Sequence, residues 1–296
     1  MMKKRIETLD GLRGFAAMLV VFHHVFKLYS IEIQEVCSDW VFSLAVFLSE
    51  LNFLAVLFFF ILSGFSIALS LSTKRAFDWK KYGSRRAKRI LPVYFLALVL
   101  AGFIGWFVPG VEVLLVDLIG NIFFLQSPES GRHWFAPFAG NGPLWSLSFE
   151  VWFYLITPFL MRWLMGIRAN NAYLIVFGSL FASVVCIGLN SVVFVPFLLF
   201  QSYYFVWLTG FLLHRAVTED SSRNFKSYLF SLIATMCSLF IMSHWLESDT
   251  LNALLQGNVL AIAFSLLLYF GISRNVKWFF QLPRFLRSWK YIGEGS

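Results

Sequence analysis

Residues 12–26 read Leu-Arg-Gly-Phe-Ala-Ala-Met-Leu-Val-Val-Phe-His-His-Val-Phe, an apolar run with Arg13 near its start and His23 and His24 near its end. Ionisable side chains at membrane depth are costly and mark functional sites. Arg13 and His24 are eleven residues apart, which at 100° per residue is about 20° short of three full turns. Both therefore project from one face of a helix, about 16 Å apart along its axis. His23 lies about 80° away from that stripe. The pattern reads as a polar track leading into a bilayer.

The rest of the chain makes the bilayer unavoidable. Of 296 residues, 59% are apolar, 19% aromatic and only 14% charged, with a mean hydropathy of +0.73. A soluble domain carries about a quarter charged residues and could not hide this much apolar surface. Long apolar runs recur from end to end, so the fold class is all-α, a polytopic helical integral membrane protein. The alternating short segments of a membrane barrel are missing. One membrane domain over 1–296 is expected, with no soluble partner domain and no internal repeat.

Spans are expected at about 9–29, 52–72, 90–108, 144–165, 172–190, 195–215, 227–245 and 251–273, eight in all, by the length of about 20 residues needed to cross. Residues 113–126 are apolar but too short, and residues 40–51 suit the outer interface through Trp40, Phe42 and Phe47. If 113–126 does not cross, the connections 73–89, 166–171, 216–226 and 274–290 fall on one side and hold most of the basic residues. The opposite connections hold Glu32, Glu35, Asp39, Glu247 and Asp249. Positive residues favour the cytoplasmic side, so 113–126 is expected to be re-entrant or interfacial and the N-terminus cytoplasmic. The net charge of +8 thus speaks for topology in an inner (cell) membrane and for lipid contact, and implies no nucleic acid partner. Lys3, Lys4 and Arg5 precede a first span that lacks a small-x-small cleavage site, the mark of a retained helix. Cys37, Cys186 and Cys237 are widely spaced and form no metal-type cluster, so no metal is expected.

Two further motifs carry chemistry. Arg85-Arg86-Ala87-Lys88-Arg89-Ile90-Leu91-Pro92 is either a stop-transfer cluster touching anionic lipid or, through the i,i+3 pair Arg86 and Arg89, a phosphate clamp. Gly142-Pro143-Leu144-Trp145-Ser146-Leu147-Ser148-Phe149-Glu150 opens a helix at Pro143 and places Glu150 one to two turns inside it. Ser146, Glu150 and Tyr154 share a face, forming either a packing stripe or a carboxylate turned to a polar cavity. Ser63 and Gly64 are the residues of close helix packing, and Ser66 and Ser70 can bond back to their own helix. His133, His214 and His244 fall in connections or at span ends. No phosphate loop, nucleophile elbow or paired-histidine zinc motif is present.

Taken in order, Leu9-Asp10-Gly11-Leu12-Arg13-Gly14 with His24, Phe58-Phe59 with Ser63-Gly64-Phe65, Arg86-x-x-Arg89-Ile90-x-Pro92-x-Tyr94, and Leu144-Trp145-Ser146-Leu147-x-x-Glu150-x-x-Phe153-Tyr154 resemble the acyltransferase-3 family. This family includes O-antigen and exopolysaccharide acetylases. The resemblance implies transfer of an acyl group, commonly acetyl, from cytoplasmic acyl-CoA to a hydroxyl of a cell-surface or lipid-linked carbohydrate, a glycan or glycolipid. It implies His24 as general base, its ordinary pKa of about 6.5 suiting that task. Arg13 would steady a phosphate or the developing charge near the cytoplasmic mouth, and Glu150 or Tyr154 would orient the acceptor or a proton path. Arg85, Arg86 and Arg89 would bind acyl-CoA, the co-substrate, and Trp145, Ser146, Tyr154 and Asp10 would bind the acceptor. The family closes with a Gly-x-x-Ser-Tyr stretch entering a final span. Tyr291-Ile292-Gly293-Glu294-Gly295-Ser296 stops at that threshold, so the expectation is either a fragment or a chain that lacks the family's last helix. Two other readings use the same residues: a transporter or channel with Arg13, His24 and Glu150 as a polar relay, and a non-catalytic assembly subunit.

Overall fold

The computed structural model describes residues 2–72, 78–127, 135–166, 172–193, 195–218, 222–245 and 249–273. Ten α-helices follow one another among them: α1 Met2–Val36, α2 Asp39–Glu50, α3 Asn52–Ser72, α4 Trp79–Phe107, α5 Leu115–Ile122, α6 Trp145–Gly166, α7 Ala172–Val192, α8 Pro196–Thr218, α9 Ser222–Trp245 and α10 Asp249–Ser273. The described residues contain no β-strand, only an isolated bridge between Gln126 and Phe135. Helix satisfies every backbone N–H and C=O within one segment, the condition for crossing hydrocarbon. Among the described residues five stretches are long and apolar enough to cross: Asp10–Val36, Asp39–Leu71, Trp79–Phe107, Phe197–Ala216 and Phe225–Met242. Leu174–Asn190 and Asn252–Leu267 are shorter apolar helices.

Local sequence sets the helix ends. Asp78 caps α4 by accepting from the Lys81 N–H at 3.0 Å, an N-terminal signal that starts the helix at Trp79. Helix α4 thus begins eleven residues before the apolar span expected at 90–108, and the basic cluster Arg85–Arg89 is helical where a connection over 73–89 is expected. At 29 residues the helix is about 43 Å long, more than the roughly 30 Å of a hydrocarbon core, so its basic first turns extend beyond it. The helix stops at Val108, extended at φ −94°, ψ 114°, because a residue before proline (Pro109) is pushed out of the helical region. Helix α5 has eight residues, about 12 Å, far too short to cross. Tyr29 interrupts α1 with φ −118°, ψ 19°.

On α4, Ile90, Tyr94, Leu98, Ala101 and Gly105 are buried, while Val93, Leu96, Leu100, Phe103 and Phe107 are exposed. Both stripes follow helical spacing, and both are apolar. An apolar outer face has a favourable environment only in lipid.

The chain divides into two compact units, one comprising the residues up to Ala68 with those from Val206 onward, the other Leu69–Phe205. In the first, α1 packs on α2 and α9 on α10. Helices α3 and α8 meet at glycine. A Cβ added to Gly64 would lie 2.0 Å from the Trp207 carbonyl oxygen, and one added to Gly210 would lie 1.9 Å from the Ile61 carbonyl oxygen. Small residues let membrane helices approach to backbone contact. Trp207 then donates from Nε1 to Ser63 Oγ at 3.3 Å, and Tyr228 of α9 donates to the Thr209 carbonyl at 2.9 Å. Asn258 of α10 donates to the Leu232 carbonyl at 2.7 Å and to Thr235 Oγ1 at 3.0 Å. In the second unit, Tyr94 donates to the Asn121 carbonyl and accepts from Gln126 Nε2, both at 2.7 Å. Trp152 Nε1 donates to the Phe124 carbonyl at 2.8 Å, holding a residue whose φ is +57°. These bonds tie the short helix α5 and its return loop to α4 and α6.

The expected closing motif at Tyr291–Ser296, the basic pair Lys74 and Arg75, and His133 lie outside the described residues.

Candidate active site

Two clusters of ionisable residues stand out, one in each unit. In the first unit the N-terminal motif folds onto α3. Arg13 is buried, 8% exposed, and reaches three acceptors with two guanidinium nitrogens. Nη1 donates to Asp10 Oδ1 at 3.4 Å, and Nη2 donates to the Leu62 carbonyl at 3.3 Å and to Ser66 Oγ at 2.5 Å. Ser66 Oγ in turn donates to the Leu62 carbonyl at 2.7 Å. Arginine suits the position because its planar fork serves separate acceptors at once, which a single ammonium does not. Each charge-assisted bond contributes about 1.5–3 kcal/mol net. Desolvating the Arg13–Asp10 pair offsets much of that. The pair is i,i+3 on α1, so helix geometry alone brings it together.

His23 and His24 lie almost three turns further along α1 and are half-buried. Their rings meet edge to face at 5.1 Å. His23 Nδ1 is 2.8 Å from Ser49 Oγ and 3.0 Å from the Ser49 carbonyl oxygen. The carbonyl only accepts, so Nδ1 carries the proton toward it. His23 thereby fastens α1 to the last turn of α2. The neighbouring His24 is the histidine at the Arg-x10-His spacing.

In the second unit α4 and α6 each contribute an i,i+4 pair. On α6, Tyr154 Oη donates to Glu150 Oε1, as their spacing predicts. On α4, Tyr82 donates from Oη to the Tyr154 carbonyl at 3.3 Å. Arg86 lies across both aromatic faces, its Cζ 5.2 Å from the Tyr154 ring centre and 5.9 Å from that of Tyr82. A cation over a ring at these distances gains about 0.5–1 kcal/mol, more where water is excluded. Arg86 Nε is buried with no hydrogen-bond partner. Arg89 is half-buried, while Arg85 and Lys88 are exposed.

The structure thus brings Asp10 to Arg13, and Arg86 to the ring of Tyr154, whose hydroxyl bonds Glu150. Asp10, expected at the acceptor, faces Arg13. Ser146 donates to the Pro143 carbonyl at 3.2 Å at the opening of α6, and Trp145 packs its ring at 5.2 Å from Phe149 and 6.3 Å from Tyr203. Tyr82 and His23 were not singled out as site residues by sequence. Tyr82 sits one turn before Arg86, and that spacing was the available signal. Among the described residues no group of histidine, cysteine and carboxylate side chains could hold a metal.

Buried and half-buried guanidinium, carboxylate and imidazole groups on long apolar helices mark a polytopic helical membrane protein. The chain belongs to the acyltransferase-3 family, whose model, described as an acyltransferase domain, matches residues 6–295. It is similar to ORF330 of Acidianus two-tailed virus, named as an acetyltransferase, at 27% identity over 203 residues, 68% of this chain and 53% of that protein. It is also similar to the exopolysaccharide production protein ExoZ of Rhizobium meliloti, 35% identical over 102 residues, 33% of this chain and 31% of that one. The peptidoglycan O-acetyltransferase OatA of Listeria monocytogenes is 28% identical over 179 residues, 56% of this chain and 26% of that one. The chain spans about half the length of the viral relative, and about a third and a quarter of the other two. No solved structure matches it.

Proposed function

We propose that the chain acts as one membrane domain that transfers an acetyl group from acyl-CoA to a hydroxyl of a cell-surface or lipid-linked carbohydrate. The observation that carries this reading is the buried Arg13, bonded to Asp10, Leu62 and Ser66 on the helix that bears His24. The family match and relatives named for acetyl transfer and exopolysaccharide production support it.

In the proposed reaction His24 takes the proton of the acceptor hydroxyl as its oxygen attacks the thioester carbonyl. The new C–O bond forms, the C–S bond breaks, and the proton leaves with the CoA thiol. Arg13, fixed by its acceptors, keeps a positive charge near the cytoplasmic mouth, where it steadies a donor phosphate or developing charge. Arg86 and Arg89, with Arg85 outermost, bind donor phosphates by charge-assisted hydrogen bonds. Glu150, Tyr154, Trp145 and Ser146 orient the acceptor. In this reading the basic turns of α4 and the N-terminus both lie on the cytoplasmic side of an inner membrane, where acyl-CoA is made, an orientation that the positive-inside rule supports.

The test is transfer of labelled acetyl from acetyl-CoA to carbohydrate by membranes containing the chain. Label should appear in an oligosaccharide or glycolipid fraction and be released by mild alkali as an ester. Membranes that insert the protein and give no acetyl-CoA-dependent label with any glycan acceptor would refute the reading.

A further inference from the structure

Pro158 lies inside α6 and is buried. Proline has no backbone N–H, so the carbonyl four residues earlier, that of Tyr154, loses its helical partner. In a membrane helix a carbonyl freed in this way is satisfied by a neighbouring helix. Here the neighbour is Tyr82: its Oη donates to the Tyr154 carbonyl at 3.3 Å, and the residue is 4% exposed. The Tyr82 hydroxyl thus joins α4 to α6 at the carbonyl from which Pro158 withholds a helical N–H.

The same junction sets Arg86. One turn on from Tyr82, Arg86 shares its face of α4 and rests between the Tyr82 and Tyr154 rings. Ring faces attract a guanidinium without using any of its N–H donors. Tyr154 directs its own hydroxyl to Glu150, and Arg86 Nε is buried with no hydrogen-bond partner. The cation rests against ring surfaces that use none of its N–H donors, and its Nε makes no hydrogen bond.

We propose that Tyr82 is a positioning residue for acyl-donor binding. Its hydroxyl, seated on the carbonyl that Pro158 frees, fixes α4 against α6 so that Arg86 meets the donor phosphate. The proposal rests on the reading of Arg86 as a donor contact. It assigns Tyr82 no contact with substrate.

The experiment measures donor KM and kcat, from CoA thiol release, and the melting temperature of the purified chain in detergent. Wild type is compared with Tyr82→Phe, Arg86→Ala, Pro158→Ala and the double variant Tyr82→Phe/Pro158→Ala. Tyr82→Phe keeps the ring and loses the tether, so donor KM should rise about tenfold, the equivalent of one hydrogen bond, with kcat little changed. In the double variant position 158 again supplies an N–H to the Tyr154 carbonyl. A merely structural hydroxyl would then be redundant, and both melting temperature and KM would return to the Pro158→Ala values. The positioning role predicts that melting temperature recovers while KM stays raised. If Tyr82→Phe alone is too unstable to purify, the double variant against Pro158→Ala carries the same comparison. An unchanged KM in Tyr82→Phe, with KM raised in Arg86→Ala, overturns the role of Tyr82 alone. An unchanged KM in Arg86→Ala overturns the donor reading and the proposal with it.

Discussion

Replacing Gly210 by alanine sets two effects against each other. Alanine favours the helix over glycine by about 0.5–1 kcal/mol. Against this, the added Cβ would stand 1.9 Å from the Ile61 carbonyl oxygen, where ordinary contact begins at 3.4 Å. The helices would have to part by about 1.5 Å, and the obstacle is backbone, which has no rotamer to yield. Overpacking by one methyl costs about 1–3 kcal/mol, and a backbone obstacle puts this site at the upper end. The clash wins, leaving a net loss of about 2 kcal/mol for Gly210→Ala. Gly178→Ala on α7 is the control: nothing lies within 4 Å of its added Cβ, so only the helix gain of up to about 1 kcal/mol remains. Unfolding in detergent titrated with sodium dodecyl sulfate reads both values. Because Leu62 and Ser66, which hold Arg13, lie on the displaced helix, acetyl transfer should fall with stability in Gly210→Ala. Gly210→Ala as stable as wild type, or no less stable than Gly178→Ala, would refute the argument that α3 and α8 meet at backbone contact.

Arg13→Gln strips the buried carboxylate of Asp10 of its partner and should cost about 3–5 kcal/mol in the same titration. Adding Asp10→Asn should restore most of that stability but not transfer; purely additive losses would speak against a coupled pair. Gln126→Leu removes the donors to Tyr94 and Leu144 and should destabilise the return loop by about 1–3 kcal/mol, read as faster amide exchange in α5. Arg86→Ala with Arg89→Ala should raise donor KM well beyond either single change, with membrane insertion intact. An unchanged donor KM would reduce the cluster to a topology signal.

The helices are legible because hydrocarbon imposes a long apolar run on every crossing segment, and the apolar stretch 113–126, within which α5 falls, is legible as too short. The Glu150–Tyr154 bond and the back-bond of Ser66 follow from i,i+4 spacing, a property of one helix. Gly64 announced a close crossing, but its partner did not. Trp207 and Ile61 contribute backbone there, and any sequence has backbone. That the helix of the span at 90–108 reaches back to Trp79 is not legible from hydropathy, because its first turns are basic; Asp78, its cap, is the signal for it. Tyr82 was missed for a related reason. Its acceptor is a carbonyl 72 residues away, open only because Pro158 follows four places later. Pairing across helices depends on packing, which periodicity does not encode.

The central claim is that His24 draws the proton from the acceptor as the thioester is broken. Purified wild-type chain and His24→Ala, reconstituted in equal amount, are each given acetyl-CoA and a glycan acceptor, and free CoA thiol is followed with time. Acceptor-dependent thiol release by wild type and none above background in the correctly inserted variant is the result this account requires. Release by His24→Ala at the wild-type rate would contradict it.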